Sequence, residues 1–343
     1  MTGIIYGPPK NVKTLAEFID SISKKTIENS TDNYEIRYLY RGHSSEKYEL
    51  CPSIARYKHS IRVEERLIEK AKNRLPDTFS DSDSKLTTLS KMQHYGLPTR
   101  LIDFTSNPLV ALFFACQDAF ERDNEGNELR DKPLAGEVIE SNEHIHCSGK
   151  KIIGHFNLLY QQQIQPDIQS EEGTLYRYSL RYYSDEIVKE LILSCIDVVT
   201  DAGIKVADFI ERIKVCPWFE NWAVREDFYS LSGQQREKCI VALLKSPIIV
   251  EAQESIERQR IQQGKYMLIA NEVKRDEYGS YIIQKELPKL YHKEHQKVGR
   301  YIVDPQYKKA ILRDLDKIGI NEGFLFGDSI DLVCKQIKTD ICR

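Results

Sequence analysis

The sequence predicts an α+β protein: a mixed or split β-sheet core with flanking helices and a helical insertion at about 171–245. Three observations lead there. Strand-like runs stand far apart, at Tyr34–Tyr40, Pro247–Val250 and Lys265–Ala270. Amphipathic helical patterns flank them at 13–30, 61–75 and 304–318. The middle of the chain reads as mainly helical and shows no internal period, so it resembles an insertion rather than a repeat array.

Residues 13–30 space Leu15, Phe18, Ile19 and Ile22 for one apolar face. Tyr34–Tyr40 mixes aromatic and branched residues and runs directly into Arg41-Gly42-His43, which puts Arg41 at a strand end. A charged amphipathic helix follows at Ile61–Leu75, then a Ser/Asp-rich loop at Pro76–Lys85. Gly96 and Pro98 punctuate a turn, and Thr105-Ser106-Asn107-Pro108 is a helix start, with polar capping residues ahead of a proline at the first helical position. The helix Pro108–Phe120 that it opens has no polar stripe over its first two turns and is expected to be buried. Residues 121–133 read as a charged loop. Residues 141–150 read as a polar loop in which His144, His146 and Cys147 lack a fourth ligand at a standard metal spacing. Helices are expected at Ile187–Val199 and Phe228–Leu244, then at Asp304–Ile318. A Gly319–Asp328 loop and a closing helix at Ser329–Lys338 end the chain.

Of 343 residues, 41% are hydrophobic and 29% charged, an ordinary globular balance rather than a disordered one. The longest apolar run, Leu109–Cys116, falls far short of the roughly 20 residues of a membrane span. Residues 1–10 lack the basic and apolar blocks of a signal peptide, so a cytoplasmic location is expected. Eight scattered cysteines with no C-x-x-C pair argue against a zinc ribbon or a disulfide scaffold, and no metal is expected. A formal charge of -3 gives the molecule no general attraction to nucleic acid. The basic stretch Lys285–Lys309 is read as a solvated helical face, with a polyanion site as its alternative. There is no G-x-S-x-G, and no cysteine stands in a context suited to a nucleophile, which leaves little room for a serine or cysteine hydrolase.

Three segments carry chemistry: Tyr40-Arg41-Gly42-His43, Gln93–Asp103 (QHYGLPTRLID), and Arg260-Ile261-Gln262-Gln263-Gly264. An arginine at a strand end suits a phosphate or ribose contact through its planar donor fork, and Gly42 would let a ligand approach the backbone. The helix start at Thr105–Pro108 is a second anion-friendly place. Simpler readings stand beside these. Arg100 and Asp103 can form an ion pair that holds a turn; Asp103 can instead orient His94; Gln263-Gly264 can be a strand-opening turn.

Together the three segments resemble the FRG family, in which an aromatic-Arg-Gly strand end is followed by a Q-H-x-G-x-P-T-R-L-x-D-x-T-x-N-P run and later by R-I-x-x-Q-x-G. The resemblance spans about 35–335, after an N-terminal helical segment at 1–34. This chain departs from the pattern at Tyr95, Phe104 and Tyr266, and Arg258 competes with Arg260 for the third motif's arginine. A weaker resemblance, to mono-ADP-ribosyltransferases, implies the corresponding fold and NAD as substrate. It matches Arg41-Gly42, Thr105-Ser106 and Gln263 or Glu257 to that family's NAD site; together with His94 and Tyr95 of the FRG-like run, Arg41, Gln263 and Glu257 are the expected catalytic candidates, and Tyr40, Arg41, Gly42, His43, Thr99, Arg100, Asp103, Thr105 and Ser106 the expected NAD contacts. It matches Ala111, Phe114 and Ala115 to that family's helix.

Two functions follow as expectations. One is an enzyme moving ADP-ribose from NAD to an RNA, DNA or protein acceptor, of the kind found in toxins and anti-phage effectors, with an inhibitory antitoxin-like partner and no membrane association. The other is a binding module that senses a nucleotide or phosphorylated ligand and signals to a partner. The absence of a clear E-x-E ahead of the last strand favours the second.

Overall fold

The computed structural model describes residues 9–28, 34–56, 60–123, 125–146, 155–156, 184–245, 248–251, 257–288 and 299–326. In chain order, β1 (Lys10–Val12) and α1 (Leu15–Glu28) precede β2 (Tyr34–His43). Two short 3-10 turns, Ser53–Arg56 and Ser60–Val63, lead to α2 (Glu64–Arg74) and α3 (Lys85–His94). β3 (Leu101–Thr105) and α4 (Pro108–Ala115) follow. After them come β4 (Phe120–Arg122), β5 (Glu128–Pro133), β6 (Gly136–His146) and β7 (His155–Phe156). A helical stretch holds α5 (Asp185–Val198), β8 (Ile204–Lys205), α6 (Val206–Ile213), α7 (Pro217–Arg225) and α8 (Gly233–Leu244). Then come β9 (Ile248–Val250), α9 (Glu257–Ile261), β10 (Gly264–Leu268), β11 (Val273–Arg275) and β12 (Tyr281–Ile283). β13 (Gly299–Val303), α10 (Pro305–Lys317) and α11 (Glu322–Phe326) complete the described chain.

The protein is therefore α+β around a mixed sheet. Its order is β1-β13-β6-β2-β3-β10-β9, with β7 added on β6. Only β1 and β13 run parallel; the other pairs in this sheet are antiparallel. β11, β12 and β8 form a small separate sheet under the helical stretch.

Side-chain alternation along the strands separates the core into layers. Tyr40, Val138, Tyr301 and Val303 face α1, α4 and α10, joined by Phe18, Leu112, Ile311 and Leu315. Further along the same sheet, Leu101, Tyr266, Leu268 and Ile248 pack against α3 and the helices of 185–244. On α5, Ile187, Val188, Leu191, Ile192 and Ile196 are buried, each contributing about 1.5–3 kcal/mol of apolar burial. The opposite face carries Leu39, Ile102, Phe104, Ile139 and Met267 under Leu50. The seam between the two helical layers falls where β2 meets β3, and Arg41 lies there.

Some local sequence signals set the elements as expected, and others are overridden by tertiary pairing. Asn107 caps α4 by accepting from the Leu109 N–H at 3.0 Å, and Pro108 takes the first helical position. The helix ends at Ala115, however, five residues before the expected Phe120. The expected helix at Phe228–Leu244 is a short 3-10 turn, Phe228–Ser230, and then α8, opened by a capping box between Ser232 and Gln235. Residues 121–133 are not a loop but most of the β4–β5 hairpin, turned by Asp123, which accepts from the N–H groups of Glu125 and Asn127. Residues 141–146 likewise belong to β6, so His144 and His146 sit in register with Ile36 and Tyr34. Cys147 lies outside the described residues. Part of the Gly319–Asp328 loop is α11, and the closing helix at 329–338 is outside the described residues.

The basic stretch is not a solvated helical face where it is described. It includes strand β13, and two of its lysines are buried. Lys285 donates to the Ile196 carbonyl at 2.9 Å; Lys308 donates to those of Ser44 and Gln117 at 2.7 and 3.0 Å. Burial pushes both lysine pKa values down from their ordinary value. No helix among the described residues is long and apolar enough to cross a membrane.

Candidate functional site

The three sequence segments meet in the sheet, the second through Thr105, two residues past its end. Tyr40 of β2 pairs with Thr105 of β3, and Thr105 pairs with Gly264 of β10, so one transverse row joins all three. The last motif is stitched to the second by side chains as well. Thr105 Oγ1 donates to the Gln262 carbonyl at 2.6 Å, and the Ser106 N–H donates to the Gln263 carbonyl at 3.2 Å. Ser106 Oγ lies 3.4 Å from Gln263 Oε1. Gln263 itself is exposed and holds a left-handed backbone, φ 49°, which makes Gln263-Gly264 a strand-opening turn.

Tyr40–Thr105 is the one register pair between β2 and β3, and beyond it Arg41 bridges them. Its NH1 donates to the Asp103 backbone carbonyl at 2.6 Å and lies 3.6 Å from Asp103 Oδ2, while Nε donates to His43 Nε2 at 2.9 Å. A side chain thus satisfies a carbonyl that a strand ladder would otherwise pair. Burial works against the Arg41 charge, and the Asp103 carboxylate supports it. NH2 makes no hydrogen bond among the described residues.

Asp103 is the exposed member of β3, with 54% of its side chain accessible. Its Oδ2 accepts from Gln93 Nε2 at 2.9 Å. Gln93 is oriented in turn by Thr99, whose Oγ1 donates to Gln93 Oε1 at 2.6 Å, and Ser53 Oγ accepts from the Thr99 N–H at 3.0 Å. The chain Ser53–Thr99–Gln93–Asp103–Arg41 therefore fixes a carboxylate and a guanidinium side by side.

His94 is the last residue of α3 and Tyr95 its C-cap. Gly96 follows with φ 79°; its N–H bonds Gln93 O and the Leu97 N–H bonds Met92 O, a Schellman ending that requires a left-handed residue there. The exposed Tyr95 ring meets His94 edge-on at 4.9 Å. Partial burial, and then the Arg258 charge, lower the His94 pKa below its ordinary value. No hydrogen bond joins His94 to Asp103.

Several expected contacts take a different form. Gly42 does not open the backbone to a ligand: a Cβ there would lie 1.9 Å from the Ala111 carbonyl oxygen, so the space belongs to α4. Arg100 neither pairs with Asp103 nor reaches the surface. It is fully buried, gripping Glu64 through Nε and NH2 at 2.9 and 2.6 Å, with NH1 donating to Ile269 O and Asn271 Oδ1. Thr99 is buried inside the polar chain, Thr105 is committed to Gln262 and Asn107, and Tyr40 is buried beside Glu140. His43 is 4% exposed and lies behind Arg41. The N-terminus of α4 is already capped by Asn107. Glu257 opens α9, and its side chain lies outside the described residues.

Other residues take roles that the sequence reading did not give them. Gln93 orients Asp103. Arg258 of α9 lies over the Phe326 ring at 4.2 Å, half-buried, and its charge acts on both Asp103 and His94. Arg56 adds a positive charge that acts on Arg41. Spacing alone could not assign these partners, which come from α9 and a 3-10 turn remote in sequence. The result is a half-exposed carboxylate beside Arg41 and within reach of the Arg258 charge, with Arg56 acting on Arg41, an environment that attracts an anion and still offers an acceptor.

Residues 36–124 match the FRG domain. The match holds the Arg41 strand, the whole Gln93–Asp103 run and α4, and stops ahead of α9 and β10. No curated protein and no solved structure matches the chain. The matched segment thus supplies Arg41, Asp103, Gln93 and His94, while Gln263, bonded to Ser106, and Arg258, whose charge acts on Asp103 and His94, come from outside it. Buried thiols take no part: burial pushes Cys116 and Cys195 up to about 12.

Proposed function

We propose that the chain is an ADP-ribosyltransferase-like enzyme that binds NAD at the Arg41–Asp103 seam and transfers ADP-ribose to a nucleic-acid or protein acceptor. The observation that carries this reading is the row Tyr40–Thr105–Gly264, which sets the arginine strand, the Thr-Ser strand and the late glutamine turn on three adjacent strands. In the reading, the uncommitted NH2 edge of Arg41 takes the NAD pyrophosphate, with Arg56 and Arg258 adding positive potential. His94 and Tyr95, at the end of α3, flank the nicotinamide ribose. Departure of nicotinamide leaves an oxocarbenium-like sugar, and the half-exposed Asp103 carboxylate or Gln263 stabilises it while the acceptor attacks. The reading is tested by incubating the protein with NAD and an acceptor mixture and measuring free nicotinamide; no release with any acceptor offered would sink it.

A second reading keeps the pocket and drops the turnover. It is favoured by one feature, the amide rather than a carboxylate at Gln263 in the late position. In that case the seam senses a phosphorylated nucleotide, and the same assay gives ligand-dependent stabilisation without nicotinamide release.

A further inference from the structure

The Arg41 guanidinium is held from two chemically different sides. NH1 meets a carbonyl, but Nε meets an imidazole nitrogen, His43 Nε2, at 2.9 Å. An arginine Nε–H can only donate. Nε2 must therefore carry the lone pair, so the His43 ring is neutral and its proton is on Nδ1.

The ring is surrounded by groups from several elements. Arg41 flanks it on β2, and on β6 the Glu137 Oε2 lies 4.0 Å from Nδ1. Glu137 is fully buried and also engaged by Arg300 of β13, so its charge is shared with a cation. Tyr48, in the segment after β2, meets the ring edge-on at 6.2 Å. Lys308 of α10 anchors the next residue through the Ser44 carbonyl at 2.7 Å. A second proton on the ring would point Nε2–H at the Arg41 Nε–H and place a new positive charge against the guanidinium.

We infer that His43 is a positioning residue for Arg41: its neutral, Nδ1-protonated form holds the guanidinium at the Asp103 seam, and protonating the ring releases it. Its functional consequence rests on the reading of Arg41 as a ligand-binding group; its tautomer statement does not. Anion binding at the seam then weakens as pH falls through the range where imidazole titrates, even though Arg41 stays charged.

The test uses the full chain labelled with 15N at histidine and arginine, with His43→Gln identifying the His43 ring signals. If that variant misfolds, Tyr48→Leu, at a half-exposed position, marks the ring by its shift instead. At neutral pH His43 is expected to show Nδ1 protonated and Nε2 bare, with a slowly exchanging Arg41 Nε–H signal that disappears in step with ring protonation on acidification. A bare Nδ1, or a charged ring at neutral pH, overturns the proposal. ADP-ribose affinity is then measured at about pH 7.5 and about pH 5.5, where the wild type is expected to weaken about tenfold. His43→Gln, which keeps an acceptor for Nε, is expected to bind equally at both; pH-independent binding by the wild type overturns the release step. Absence of ADP-ribose binding at either pH would count against the NAD reading, while the ring signals would still decide the state of His43.

Discussion

Gly42 lies directly beneath Ala111: a side-chain carbon on residue 42 would sit 1.9 Å from the Ala111 carbonyl oxygen and 2.8 Å from the Ala115 backbone nitrogen. Gly136 on the adjacent strand stands in the same relation to the Ala115 carbonyl, again at 1.9 Å. Two glycines on neighbouring strands thus form the bed on which α4 rests, and the conformational freedom of Gly42 is not what it supplies. Gly42→Ala is expected to destabilise the protein by about 1–3 kcal/mol or more, because helix backbone has to move. Thermal unfolding measures this, and an unchanged melting temperature would contradict the close approach.

Arg100 and Glu64 are both fully buried, and the arginine also bonds the Ile269 carbonyl and Asn271. Removing one partner strands a charge, so Arg100→Met or Glu64→Leu should each cost about 3–5 kcal/mol. Arg100→Met with Glu64→Leu should recover part of that loss but not all, since the Ile192 and Ile269 carbonyls and Asn271 Oδ1, which Arg100 served, remain without it. Denaturant unfolding of the three variants gives the answer, and additive losses in the double variant would contradict the pairing.

His94 favours its neutral form in the folded protein, through partial burial and then the Arg258 charge. Its pKa is lowered from the ordinary value of 6.5, so its contribution to stability is complete above that pH. Below it the unfolded chain takes the proton more readily, and stability is lost as pH falls. The melting temperature of wild type should therefore drop more than that of His94→Gln between about pH 7.5 and about pH 5.5. Equal drops would remove His94 from the acid response.

The parts of the fold legible in the sequence were those fixed by neighbours along the chain. Tyr34–Tyr40 announced itself as a strand, though β2 runs on to His43 in register with β6 and so holds Arg41 inside the strand rather than at its end; Asn107-Pro108 announced a helix start, because alternation and capping act over a few residues. β6 was hidden because its buried positions include Glu137 and Glu140, whose partners Arg300 and Tyr301 arrive from β13 far down the chain. Arg100 read as a ligand contact for the same reason: its partner Glu64 lies in a helix that looks merely charged and amphipathic from its spacing. Of the candidate site, Arg41, His94 and Asp103 stand out in their motifs. Gln93, Arg258 and the tie between Arg41 and His43 depend on where α3, α9 and β2 are placed in space.

The central claim, that Arg41 at the β2–β3 seam serves ADP-ribose transfer from NAD, is tested most directly by mass spectrometry. Wild type, Arg41→Ala and Arg41→Lys are each incubated with NAD, a mixed RNA and DNA pool and a protein extract, and ADP-ribose adducts and free nicotinamide are measured. Adducts and nicotinamide are expected with wild type, loss by about a hundredfold or more in Arg41→Ala with its fold intact, and little recovery in Arg41→Lys, which lacks the planar fork. Equal product from wild type and Arg41→Ala, or no product from wild type with any acceptor, would contradict it.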